Sequence, residues 1–254
     1  MKAVKFRQLV LPLALAACGL AATQAGAAVF VQCPGDTNGD ASWTGTETQP
    51  AGVKCVHLAA GDGFSSMADG KVVYGFGFAD ITGVAPADAI NTGLLAANFS
   101  APTIELKEGD KLYLTLTNVG MVVRPDLFDP HTVHFHGFPQ AAPVFDGMPE
   151  GSFGINMGSS VTYYYNIVEP GTFMYHCHVE ATEHMQMGML GNLYVEPRQN
   201  QCGGLFNGLP NPCPTGHVVG NKYAYNDGDR TTQYDVEYPI QIGSFATSGL
   251  PAGD

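Results

Sequence analysis

Two short stretches, HTVHFHG at 131–137 and HCHVEATEHMQMGM at 176–189, hold six of the chain's eight histidines and one of its six cysteines. Their spacing suits metal binding on paired strands. A β-strand points successive side chains to opposite faces, so residues two apart share a face and residues three apart do not. His134 and His136 therefore face one way and His131 the other. On a second strand His176 and His178 share a face, with Cys177 pointing away between them. Pairing the strands predicts two ligand sets back to back. One holds His131, Cys177, His184 and Met189; the other holds His134, His136, His176 and His178.

The first set has the composition of a blue-copper site: two imidazoles and a thiolate in a trigonal array, with a weak axial thioether. The second set offers the wall of imidazoles that a cluster of several coppers needs. Cys177 joins the two sets through its own chain neighbours. Zinc is the rival, because it also takes His and Cys, usually in closed tetrahedral sites. It accounts neither for the alternating faces nor for the methionine. Met185 and Met187 flank the proposed axial residue and read as core filler.

These motifs resemble those of the multicopper oxidases, the family of laccases and ceruloplasmin, and in particular their copper-bearing cupredoxin domain. The resemblance spans roughly residues 67–197. It implies that His131, Cys177 and His184 are type 1 ligands with Met189 axial. It implies that His134 is a type 2 ligand and that His136, His176 and His178 are type 3 ligands. Asp146, in DGMP at 146–149, resembles the acidic residue that supplies protons near the trinuclear centre. Two residues more separate Cys177 from His184 than in typical laccases, so the intervening loop is longer.

A complete trinuclear site in this family takes eight histidines from two domains, and this chain supplies four. The remaining histidines, His57 and His217, are isolated and read as surface residues. The other half would come from a second subunit of a homo-oligomer, from a partner polypeptide, or from the rest of a longer oxidase. The tail favours the last route, since residues 223–244 resemble the opening strands of a following cupredoxin domain.

The elements that must position these residues read as short strands. Ile104 and Leu106, then Leu112, Leu114 and Leu116, alternate with polar residues on either side of a Glu-Gly-Asp turn at 108–110. Val161, Tyr163, Tyr165 and Ile167 repeat the alternation, Pro170-Gly171 turns the chain into the HCH strand, and residues 190–196 read as a last strand. The 32 glycines, 17 prolines and 13% charged residues suit many turns. The expected fold is all-β: a cupredoxin-like Greek-key β-sandwich with an N-terminal extension and a partly extended C-terminal tail. Residues 1–27 read as a signal peptide, 28–66 as the extension, 67–197 as the cupredoxin domain and 198–254 as linker and tail. A short helix is expected within 85–97.

Lys2, Lys5 and Arg7 precede an apolar run and then small residues, the pattern of a secretory signal. Export to the periplasm or the exterior follows, with lipid anchoring at Cys18 as a variant. In that oxidising setting Cys33, Cys55, Cys202 and Cys213 remain for two disulfides, for which the local pairings Cys33–Cys55 and Cys202–Cys213 are expected. The net charge is −12, and without the three basic leader residues it is −15, 8 basic against 23 acidic. Such a surface repels nucleic acid. Residues 36–47, DTNGDASWTGTE, partly follow a calcium-loop pattern through Asp36, Asn38, Asp40 and Glu47, but Ala41 stands where the sharp turn needs glycine.

The function expected is a copper-dependent oxidoreductase that takes electrons from a small-molecule or metal-ion donor at a type 1 copper and reduces dioxygen at a shared trinuclear cluster. A blue-copper electron carrier is the alternative, and a copper nitrite reductase-like enzyme is a further one. Against the last, that family usually has an acidic residue where His134 stands.

Overall fold

The computed structural model describes residues 29–139 and 141–243. The expected signal sequence at 1–27, with Cys18, lies outside the described residues. Two four-stranded sheets pack face to face. The first has the order β2-β1-β4-β6, with β1 at Val53–Ser66, β2 at Val72–Asp80, β4 at Lys111–Gly120 and β6 at Ser160–Asn166. The second has the order β3-β8-β7-β5, with β3 at Ala101–Lys107, β5 at His134–His136, β7 at Gly171–His176 and β8 at Leu190–Glu196. Two short helices intervene, α1 at Ala89–Gly93 and α2 at Ala181–Met187. The protein is an all-β, cupredoxin-like sandwich.

Alternation builds the core. Leu112, Leu114 and Leu116 of β4 are fully buried and meet Tyr163 and Tyr165 of β6, Ile104 and Leu106 of β3, and Phe135, Tyr175, Leu193 and Val195 of the second sheet. Phe135 stacks on Tyr165 at 4.1 Å between centroids, which fixes β5 against the opposite sheet. Aromatic packing of this kind adds to simple burial.

Three sequence expectations change. Val53–Ser66, read as part of an extension, is an interior strand of the first sheet, antiparallel to β2 and parallel to β4. Its residues from His57 to Gly63 are buried on both faces, so no polar–apolar alternation marked it. His57 belongs to this strand. It is fully buried, with Nε2 2.8 Å from Thr117 Oγ1, and is no surface residue. The stretch 198–222, read as a linker, is tied to the sandwich: Arg198 N–H donates to Glu108, and Asn200 and Tyr223 bond each other.

Both expected disulfides form, Cys33–Cys55 and Cys202–Cys213. The first ties the N-terminal loop to β1. Within that loop Asp36 accepts from the amides of Asn38, Gly39 and Ala41, and Glu47 accepts from Thr37 and Thr44. These carboxylates serve as turn caps, and Ala41 takes the left-handed conformation, φ 65°. Beyond the sandwich, two-stranded pieces follow: β9 (Leu205–Phe206) with β10 (Leu209–Pro210), and β11 (Lys222–Tyr223) with β12 (Gln233–Tyr234).

Candidate metal centre

The strands β5 and β7 are antiparallel, with His134 opposite His176, Phe135 opposite Tyr175 and His136 opposite Met174. Phe135 and Tyr175 are fully buried in the core, so the alternation turns His134, His136 and His176 the other way. Ligating atoms of these three lie within 4.8 Å of one another. His178, just past the end of β7, completes the group: its ring centroid is 5.0 Å from that of His134 and 5.7 Å from that of His176. Its backbone N–H donates to Thr132 Oγ1 at 2.9 Å, which pins the chain next to Cys177. His136 is exposed while His176 is buried, so the imidazole wall opens to the surface.

Cys177 points into the sandwich and is fully buried. Its Sγ lies 3.2 Å from His184 Nδ1 and 3.8 Å from His131 Nδ1. His131 is held by a two-way backbone bridge to Ile155. His184 sits on α2, a helix of seven residues that begins in the longer loop between Cys177 and His184. Phe76 packs edge-on against the His184 ring at 5.7 Å. The fully buried Met189 follows directly, its N–H donating to the His184 carbonyl at 2.8 Å and its carbonyl accepting from Cys177 N–H at 3.2 Å. Gly188, at φ 120°, makes this return possible: a Cβ there would stand 2.7 Å from the Phe76 carbonyl oxygen.

The electrostatics suit neutral, lone-pair-bearing ligands. Burial pushes the Cys177 thiol up to about 11. Burial, then the neighbouring His184, pulls His131 down to about 3, and burial also lowers His184. His176 falls to about 4, again through burial first. Imidazoles held uncharged keep a nitrogen free for a metal, and a bound cation would replace the thiol proton.

The outer contacts set tautomers. His134 Nδ1–H donates to the Asp146 carbonyl oxygen at 2.6 Å, with Asp146 Oδ1 3.4 Å away. His176 Nδ1–H donates to the Cys177 carbonyl at 2.8 Å. Each leaves Nε2 available to a metal. Of the residues expected from sequence, the structure thus gathers His131, Cys177 and His184 on one side and the four other histidines on the second, with Asp146 against His134. His57 and His217 lie in neither group. Sequence reasoning missed Asp129 and Glu180, whose carboxylate oxygens come within 4.8 Å of a His184 nitrogen. Glu180 lies in the lengthened loop, and nothing in the spacing marked either residue.

The family model described as multicopper oxidase matches residues 84–200. Over this part the chain is similar to the multicopper oxidases. The curated multicopper oxidase elcG of Phaeosphaeria nodorum is 32% identical over 127 residues, 49% of this chain and 18% of that protein. Copper resistance protein A of Pseudomonas syringae is 34% identical over 114 residues, 44% of this chain and 16% of that protein. The chain therefore matches less than a fifth of the length of these relatives. Among solved structures, a blue copper oxidase from Nitrosomonas europaea is 29% identical, covering 57% of this chain and 39% of that one, with a TM-score of 0.44. That similarity implies copper, and a buried thiolate with two imidazole nitrogens within 4.8 Å of one another fits it by the softness of its donors. The two disulfides fit an oxidising compartment.

Proposed function

We propose that this multicopper oxidase domain supplies a type 1 copper site through His131, Cys177, His184 and Met189, and one half of a trinuclear site through His134, His136, His176 and His178. Copper bound at these places would accept single electrons at the thiolate and, at the completed imidazole cluster, reduce dioxygen to water. One observation carries the reading. Cys177 Sγ stands 3.2 Å from His184 Nδ1 on the buried side, while its chain neighbour His176 joins the imidazole group on the other. An electron carrier has no use for that second group.

The residues divide the work. Half-buried Asp129 and exposed Glu180 lie within 4.8 Å of the buried His184, so a donor that docks against these carboxylates comes close to it, and a cationic donor is favoured there. A small molecule or a reduced metal ion satisfies this. The peptide of Cys177 and the hydrogen bond from His176 link the two sites. Asp146 holds the His134 ring in place and would supply protons there once the cluster is loaded. The exposed imidazole wall is completed by a second subunit or by a partner domain, and the protein is exported to the periplasm or beyond.

Metal analysis combined with solution mass tests the proposal. It expects more than one copper per chain in an assembly that consumes oxygen with a reducing dye. One copper per chain, with no oxygen uptake in any assembly, would leave a blue-copper electron carrier.

A further inference from the structure

A second group of soft donors lies away from the histidine wall, beside the Cys202–Cys213 disulfide. His217 has a ligating nitrogen within 4.8 Å of both sulfurs. Both of its ring nitrogens are buried, and neither has a hydrogen-bond partner among the described residues. Imidazole always presents at least one N–H or lone pair that needs a partner, so a buried ring without one points to a missing ligand. The residue is held in place: its ring lies 4.6 Å from that of the fully buried Tyr223, and its backbone N–H closes a turn onto the Pro214 carbonyl.

The two cysteines are also held together by more than their bond. Gly203 N–H donates to Asn211 at 2.8 Å and Asn211 N–H to Gly204 at 3.0 Å, at the base of the β9–β10 hairpin. Asn211 donates to the Arg198 carbonyl, and the Arg198 guanidinium covers the Phe206 ring at 5.4 Å. Opening the disulfide would leave this frame in place.

We propose that Cys202, Cys213 and His217 form a redox-gated site for a soft d10 cation, Zn2+ or Cu+. A dithiol reductant gives two electrons and two protons to the disulfide, forming two thiols and leaving as its own cyclic disulfide. The cation then binds two thiolates and the imidazole, and the two thiol protons pass to buffer. Arms of roughly 2.3 Å to sulfur and 2.0 Å to nitrogen around a tetrahedral ion put two thiolates about 3.8 Å apart, so the sulfurs, bonded to each other in the disulfide, must separate before the ion enters. In the oxidised protein the site is closed by the disulfide.

Zn2+ and Co2+ titrations of the full chain, before and after reduction with a dithiol, test this. Reduction should add one Zn2+ per chain, with Co2+ giving new thiolate charge-transfer absorption. Both gains should vanish in His217→Ala and in the Cys202→Ser, Cys213→Ser double variant, while Cys33→Ser, Cys55→Ser keeps them. Circular dichroism checks that the variants stay folded. No additional Zn2+ after reduction, or a gain that survives His217→Ala, would overturn the assignment. A competition with a cuprous chelator tells Cu+ from Zn2+ as the tighter occupant.

Discussion

His176 and Cys177 are joined twice, by their peptide bond and by a hydrogen bond from His176 Nδ1 to the Cys177 carbonyl at 2.8 Å. The second link fixes the His176 tautomer and shortens the path between the two ligand groups. In His176→Ala, anaerobic bleaching of the blue colour by a donor should proceed as in the parent. Reoxidation in air should slow by at least about 100-fold, the upper end of what is lost on removing metal-site partners. Stopped-flow absorption separates the two steps, and equal slowing of both would break the link.

Asp146 acts on His134 through its carbonyl and its carboxylate. Asp146→Asn keeps the carbonyl contact and removes the acid. Oxygen uptake should fall on the order of 10²–10⁴-fold with copper content unchanged. Gly147→Ala tests position instead: at φ 74° an added Cβ would strike the Val133 carbonyl, so the turn must move and carry Asp146 off His134. Metal analysis and oxygen uptake measure both variants, and parental activity in Gly147→Ala would refute the positioning.

Phe135 sits between two proposed ligands and stacks on Tyr165 at 4.1 Å. Its loss should leave a cavity in the core and cost about 3–5 kcal/mol of stability. Phe135→Leu should cost less and keep the histidine register. Denaturant unfolding gives the cost, and EPR of the copper-loaded protein reports the register.

How much of this could be read from the chain follows from its periodicities. The strands with one buried face announced themselves: Ile104 and Leu106 alternate with exposed neighbours, Tyr163 and Tyr165 flank the half-buried Tyr164, and the HxH pairs that give the metal faces alternate too. The strand Val53–Ser66 did not, because both of its faces are covered and its alternation is lost. His57 was misread with it, since a lone histidine carries no period. The helix at Ala181–Met187 has only seven residues, too few for a helical pattern, and its N-cap Glu180 takes the left-handed conformation, φ 44°. Asp129 and Glu180 meet His184 only through tertiary packing, which no local spacing encodes.

His57 offers a pH test of the buried strand. Burial lowers its pKa from 6.5 to about 4. The unfolded chain therefore binds a proton at this residue between those values while the folded protein does not. The stabilisation is present above pH 6.5 and is lost as pH falls toward 4, on the order of 3 kcal/mol for this residue at full effect. Unfolding midpoints of the metal-free protein should drop over that window. His57→Gln should flatten the slope by about one proton, and an unchanged slope would contradict the burial.

If adjacent residues serve two separate copper sites, reciprocal variants must separate the two. Optical absorption, EPR and oxygen uptake of copper-loaded His134→Ala and Cys177→Ser should diverge. The account predicts that His134→Ala keeps its blue colour and stops reducing oxygen, while Cys177→Ser loses the colour and retains copper at the imidazole group. Bleaching of the blue colour in His134→Ala would contradict it.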